Sequence, residues 1–513
     1  MMMENIEPRA YQLSILETAK KHNTLVVLPT GMGKTLVALM LSQHRLSLYP
    51  ESKIVLLAPT RPLVEQHYNY FKKYADYEGM HLFTGKIAPK KRADIWQRAR
   101  IIFSTPQCIE NDLKHGLIGI NDVSLVVEDE AHRCLKNYSY VYVAQEYLKH
   151  AKNARLLGLT ASPGSDASVI NHIAKNLGIS AVEIRTRESL DVKPYLQKLD
   201  QEIIRVDLTD EMKSIRSMTM ELYKRKVEEL KNRQLLFAPP TKTNLILLQK
   251  KLQKNLAAGN IHFNVLRGIS VCAQAIKLQH LLELVETQGV EIAHNYMKDL
   301  FEQARQGKSK AVKQLVNSKE INDAYSLLIQ MHEKNIEHPK FQELRNIMLR
   351  EIKNKPTTRA IVFSQYRDTV EKISNSIERL GIKSKIFIGQ AKRRMQGLTQ
   401  IEQQAIIREF KMGKINVLVA TSIGEEGLDL PEVDLVIFYE PIPSAIRKIQ
   451  RQGRTARLKP GRLVILIARN TRDESYYWAA YHKEKKMHAV LEDMQRDFKK
   501  KTQESGQKKI DSF

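Results

Sequence analysis

The sequence predicts an α/β protein in which two lobes, each built on a parallel sheet, flank an all-helical insert. Three observations predict this. Over residues 1–185, short apolar runs alternate with amphipathic stretches, the pattern of a sheet covered on both faces. From about Asp210 to Gln342 strand-like runs disappear, and heptad-like stretches such as MKSIRSMTMELYKRKVEELKNRQLL replace them. After His338-Pro339 the α/β rhythm returns.

The strand candidates of the first lobe are 25–29, 54–59, 100–105, 125–129 and 156–162. Each run ends in small or polar residues, and ligands bind at such ends in open α/β sheets. Ala238-Pro239-Pro240 and Gly259-Asn260 interrupt the helical segment. The second lobe offers strands at 359–365, 385–389, 416–421, 434–440 and 462–468, then a helical, Lys-rich end. The boundaries read as 1–205 for lobe 1, 206–342 for the insert, 343–490 for lobe 2 and 491–513 for a basic, flexible tail.

Composition narrows the function classes. The 513 residues include 82 Lys+Arg against 57 Asp+Glu, a formal charge of +25. A 42% hydrophobic fraction spread along the chain excludes disorder as the main state. No apolar run approaches the ~20 residues of a membrane span, and MMMENIEPRA shows no signal peptide. Three cysteines (Cys108, Cys134, Cys272) without CxxC spacing exclude a disulfide framework or zinc site and suit a reducing, cytoplasmic setting. The positive charge points to a polyanion, with nucleic acid first, and charge alone leaves a basic, non-binding surface as the alternative. Residues 231–280 carry eight Lys/Arg, Lys250, Lys251 and Lys254 among them, and no acid. That stretch is expected to contact phosphates, a solvated helix face being the alternative.

Residues 25–35, LVVLPTGMGKT, run from a strand into a Gly-rich loop. Such a loop lets several N–H groups point at one phosphate, and glycine permits the turn. Thr30, Gly31, Met32, Gly33, Lys34 and Thr35 are the candidate nucleotide cradle. Lys34 would reach the β/γ-phosphates and the Thr35 hydroxyl would hold Mg²⁺. Leu28 stands where the full pattern has Gly or Ala. A second strand ends in Asp129 and Glu130 of LVVEDEAH; Asp129 suits Mg²⁺ and Glu130 suits the attacking water. In QRQGRTAR, residues 450–457, Arg451, Arg454 and Arg457 recur every three residues. They are expected to share one helical face or first turn and meet the charge that builds on a γ-phosphate, a surface salt-bridge network being the alternative.

With these residues in order, the chain resembles a superfamily 2 nucleic-acid-dependent ATPase. PRAYQ (8–12) resembles the adenine-reading segment, APTRPLVEQ (58–66) motif Ia, STPQ (104–107) motif Ib, DEAH (129–132) motif II and TAS (160–162) motif III. VFSQYRDT (362–369) resembles motif IV, 420–440 motif V and QRQGRTAR motif VI. The phrases LTASPGS, GQAKRRMQGLTQIEQ and ATSIGEEGLDLPEVDLVIFYEPIPSAIRKIQRQGRTAR are most similar to the archaeal Hef helicases and the Fanconi anaemia M-group translocases. The helical insert resembles that family's thumb-like DNA-binding insert. An ERK nuclease signature is missing from this sequence, so the resemblance implies a helicase-only form, acting with a separate nuclease if with any.

The resemblance implies RecA-like lobes with ATP and Mg²⁺ between them. Arg9 and Gln12 would bind the nucleotide, with Gly427 and Asp429 near its ribose and phosphates and Gln450 near the γ-phosphate. Thr160 and Ser162 would couple nucleotide state to lobe movement. Thr60, Arg61, Thr105, Pro106, Ser364, Gln365 and Thr421 would grip backbone phosphates. The implied track is branched DNA (stalled forks and Holliday junctions) in repair and fork restart, in the nucleoid of a prokaryote. A double-stranded-RNA-activated ATPase is the alternative, because RNA-sensor helicases share the lobes and an insert; an inactive DNA-binding scaffold is a third class. Gln507, Ile510 and Phe513 resemble a sliding-clamp-binding peptide, and a Lys-rich tail ending in one apolar residue by chance is the equal alternative.

Overall fold

The computed structural model describes residues 7–75, 77–259, 261–389, 397–421, 430–456 and 459–510; of residues 499 and 501–510 only the backbone is described. Lobe 1 carries β1 (Thr24–Val27), β2 (Lys53–Leu57), β3 (Met80–Phe83), β4 (Ile101–Ser104), β5 (Val123–Asp129), β6 (Leu156–Thr160) and β7 (Ala181–Ile184). They form one parallel sheet in the order β3-β4-β2-β5-β6-β1-β7. The inner strands bury every residue or nearly so, because helices cover both faces.

Then come β8 (Leu199–Val206), β9 (Ala360–Phe363), β10 (Ser384–Phe387), β11 (Val417–Ala420), β12 (Leu435–Phe438) and β13 (Gly461–Ala468). They make a second parallel sheet, ordered β10-β11-β9-β12-β13-β8. Strand β8 precedes the insert in sequence yet pairs along its full length with β13. Residues 199–205 therefore belong to the second sheet, not to lobe 1 as expected. Arg462 ties this edge down through Glu202 and, on the helix Pro339–Asn354, Glu351.

The insert is six helices (Asp210–Asn232, Lys242–Ala257, Phe263–Thr287, Val290–Arg305, Lys310–Val316, Lys319–Glu333) around one apolar core. Thr209 and Thr241 cap the first two: each hydroxyl accepts from the third N–H of its helix. The root of the insert packs on lobe 2. Thr369 donates to Gln288 at 2.6 Å, and His338 Nε2 lies 3.1 Å from the Glu286 carbonyl.

A last helix, Arg472–Ile510, is 39 residues long, ~60 Å at 1.5 Å per residue. Asp473 in its first turn is buried in lobe 2, and Met487, Leu491 and Met494 are buried in the core of lobe 1. The expected flexible tail from 491 is thus helical to 510, and its first turn is core. Its apolar positions at i, i+4 and i+7 pay out their hydrophobicity against the opposite lobe.

Candidate active site

The first helix, Ala10–Lys21, and the phosphate loop are locked together before any ligand arrives. Gln12 Oε1 accepts from the Arg9 N–H at 2.8 Å, while its amide donates to the Met32 carbonyl at 3.1 Å. The Tyr11 hydroxyl reaches the same carbonyl at 2.9 Å. Gln12 is 3% exposed, so it acts here as a clamp on the loop. Arg9 lies over the Tyr195 ring, 5.1 Å from its centroid. Gly33 takes φ +80°, and a Cβ there would stand 2.2 Å from the Gln12 amide nitrogen; only glycine fits both demands. Gly31 shares the left-handed conformation. The helix Lys34–Leu48 then starts with its first N–H groups uncapped by any side chain, a ready anion site. Leu28 is fully buried and donates its N–H to Thr160. Its side chain belongs to the core, which accounts for the departure from Gly or Ala.

Strand β5 lies beside β6, which lies beside β1, so Asp129 and Glu130 leave the sheet close to the phosphate loop. Burial pushes the Asp129 carboxyl up, but His67, Lys34 and the Glu130 N–H outweigh it and leave the group below its ordinary value. The His67 contact is 2.8 Å between Nε2 and Oδ2. An ionised, preformed carboxylate beside Lys34, the residue before Thr35, fits a divalent cation bound to phosphates. Glu130 sits at φ +54°, a strained conformation for a non-glycine residue, and opens the turn Ala131–Arg133. Its Oε2 lies 3.2 Å from His132 Nδ1, which is also 3.2 Å from the Thr160 hydroxyl. Thr160 accepts from the Ser162 N–H at 3.1 Å, and the Ser162 hydroxyl donates to the Met487 sulfur at 2.9 Å. Motifs II and III are therefore joined by hydrogen bonds that end on the long C-terminal helix.

Lobe 2 closes over this loop. A Cβ on Gly453 would stand 2.7 Å from Thr30 Cβ, so the chain after the helix Ala445–Gln452 rests directly on the phosphate loop. Arg187 of lobe 1 donates to the Ala456 carbonyl at 3.5 Å, and Ile449 packs on the core of lobe 1. Arg454 and Gln450 are buried at 8% and 4% exposure. The expectation of three arginines on one face is corrected: the helix ends at Gln452, so Arg454 leaves its axis. Arg451 turns inward, fully buried, 4.9 Å from the Phe363 ring and 5.7 Å from Phe438. Arg457, Gly427 and Asp429 lie outside the described residues.

The expected nucleic-acid positions cluster at strand ends. Leu57 and Ser104 are register partners, and Thr60 and Thr105 follow them as caps of helices whose first N–H groups receive no cap from these side chains. Arg61 is held by Glu65 at 2.6 Å, and Pro106 is buried. In lobe 2, Phe363 and Ala420 are partners, which brings Gln365 and Thr421 to one edge. Ser364 differs from its expectation. It is fully buried, and its hydroxyl donates to both Glu440 oxygens at 3.2 Å, which leaves it a support for Gln365 rather than a surface contact. The Gln365 N–H also donates to Glu440. Lys250, Lys251 and Lys254 are exposed on the insert. For Gln507 and Ile510 only the backbone is described, as helix, and Phe513 lies outside the described residues.

Three residues of the site escaped the sequence reading. His67 follows motif Ia directly and could have been suspected only as a histidine one helix from the DEAH strand. Glu440 and Gly453 carried no signal beyond their place inside motifs V and VI.

The family models that match are the DEAD/DEAH box helicase over 9–169, the helicase conserved C-terminal domain over 339–459 and an ATP-dependent RNA helicase helical bundle over 211–335. An ATP-dependent RNA helicase of Methanocaldococcus jannaschii is 40% identical over 495 residues, 96% of this chain and 61% of that protein. The ATP-dependent DNA helicase mph1 of Sclerotinia sclerotiorum is 35% identical, over 91% of this chain and 40% of that protein. A Fanconi anemia group M protein homolog of Mus musculus is 32% identical, over 92% and 25%. The chain thus spans less than two thirds of the length of each. The crystal structure of the Pyrococcus furiosus Hef helicase domain superposes with a TM-score of 0.74 at 43% identity, over 94% of this chain and all of that one.

Proposed function

The chain belongs to the superfamily 2 ATP-dependent helicases, in the group of Hef and its Fanconi anemia group M relatives, and from that premise we propose that it is an ATP-driven DNA helicase or translocase working on branched DNA in repair. The seating of Gly453 on Thr30 carries this reading. It delivers the arginine-bearing segment of lobe 2 to the phosphate loop of lobe 1, the closure a hydrolysis-driven motor requires.

The loop N–H groups and Lys34 would hold the phosphates. Thr35 and Asp129 would hold Mg²⁺, which when bound neutralises charge on the β- and γ-phosphate oxygens. Glu130 orients the attacking water and takes its proton, and His132 steadies that carboxylate. Arg454, with Arg457, supplies positive charge at the γ-phosphate. Hydrolysis would be reported along His132, Thr160 and Ser162 to the helix that spans both lobes. Thr60, Thr105, Gln365 and Thr421 would take the tracking strand by its backbone, so sequence preference should be slight. The clamp peptide 507–513 and a partner nuclease are proposed on sequence resemblance alone.

The mph1 relative and the Hef match favour DNA over the double-stranded-RNA-activated alternative; the RNA-helicase name of the M. jannaschii relative makes RNA the necessary control. Steady-state ATPase measured with forked DNA, single-stranded DNA and double-stranded RNA is the test. Strongest stimulation by the fork is expected, and strongest stimulation by the RNA would overturn the reading.

A further inference from the structure

The insert carries apolar side chains where a folded chain ordinarily hides them. Phe237 is 87% exposed, Phe263 74%, Ile261 71% and Leu266 44%. Most large apolar residues of the insert are instead packed in its core. Phe263 and Leu266 stand three apart at the start of their helix, so they share a face. The Arg233 guanidinium lies over the Phe263 ring, 5.8 Å from its centroid.

The setting selects the occupant. The helix Lys242–Ala257 runs toward this tip: Cys272 donates to the Leu245 carbonyl, while Leu252 lies near Gly268. Its exposed Leu247, Lys250, Lys251 and Lys254 fall at i, i+3, i+4 and i+7, a single face. These three lysines have no ion-pair partner among the described residues, whereas Lys242 and Arg267 are engaged by Glu283 and Glu229. A column of cations thus leads to an apolar, aromatic end with no acidic residue between 231 and 280. Polyanionic backbone along the lysines and base faces against the rings satisfy both halves of that surface.

The far end of the helix Phe263–Thr287, which begins at this tip, is anchored at motif IV. His280 lies 6.1 Å from Tyr366, ring to ring, next to Gln365. Phe263 and His280 are 17 positions apart, which places the tip ~25 Å away along the helix. That is the length of about seven base steps at ~3.4 Å each.

We propose that Phe263, Leu266 and Ile261 form a stacking wedge that meets the unpaired or end-stacked bases at a DNA branch, while Lys250, Lys251 and Lys254 hold the backbone leading to it. The inference rests on the branched-DNA reading and names the side chains that would recognise the branch.

The test uses the full chain and its Phe263→Ala/Leu266→Ala double variant, with fluorescence anisotropy on a forked duplex, a four-way junction and single-stranded DNA of equal length. The double variant should bind fork and junction at least tenfold more weakly, with single-strand affinity and single-strand-stimulated ATPase unchanged. A 2-aminopurine at the branch point should be quenched by the wild type and by Phe263→Trp but not by the double variant. Lys250→Gln, Lys251→Gln and Lys254→Gln together should shallow the salt dependence of fork binding, which the Phe263 and Leu266 changes leave alone. Unchanged fork affinity and quenching in the double variant would overturn the wedge. So would loss of a dimer in sedimentation, which would assign the patch to a second copy. A wild type without fork preference would instead overturn the branched-DNA reading, so the two failures are distinguishable.

Discussion

Both lobes place their working residues at the same ends of parallel strands, yet they handle charge in opposite ways. In lobe 1 the charges converge on a site a ligand can reach. Lys34 and Thr35 are half-buried, Asp129 is held ionised, and two left-handed glycines leave the loop open. In lobe 2 the corresponding strand ends are filled by the protein itself. Glu440 is buried under Ser364 and Gln365, its pKa pushed up to about 7 by burial against the pull of Lys340, the Gln365 N–H and Arg451. Lys340 and Asp473 form an ion pair with no exposure at all. Lobe 1 is built to receive outside charge. Lobe 2 spends its charges on a fixed internal frame that presents Gln365 on one side and Arg454 on the other.

The contrast can be broken first in lobe 1. Glu130→Gln should lower ATP turnover by at least ~10³-fold, since the water loses its base, while DNA binding measured by anisotropy stays within twofold. Turnover near wild type would remove Glu130 from the chemistry. Lobe 2 should fail in a different currency. Lys340→Ala strands a buried carboxylate and should cost ~3–5 kcal/mol of stability in urea unfolding, and an unchanged midpoint would refute the frame. The smallest effect sharpens the seam between the lobes. Gly453→Ala forces a methyl against Thr30 and should slow turnover about tenfold, or ~1.4 kcal/mol. Thr30→Ala in the same chain should recover part of that loss; strict additivity of the two changes would show that the residues do not meet in the working state.

Much of the fold was legible because its signals are local. All ten apolar runs read as strands became inner strands or the β10 edge. The three strands missed, β3, β7 and β8, are all sheet edges. Their partly exposed positions, such as those of LDQEIIRV in β8, dilute the continuous apolar pattern that marks a covered strand. The glycine loop proposed to bind nucleotide and the DEAH strand were legible for a related reason. A phosphate cradle needs glycine, lysine and a hydroxyl within a few residues, so its chemistry is written contiguously. The arginines were only half legible. Their spacing implies one face if the helix continues, and it stops at Gln452.

By itself the sequence determined two parallel-sheet lobes, a basic helical insert between them, and a loop and strand proposed to handle a nucleotide, because each depends on neighbours within a turn or a strand. Tertiary structure alone decided that β8 crosses to the second sheet, that Arg451 supports the frame instead of facing phosphate, and that the C-terminal helix binds lobe 1. It also decided that His67 fixes Asp129. These outcomes rest on contacts between residues tens to hundreds of positions apart, where the free energy of burial, not local propensity, selects the partner.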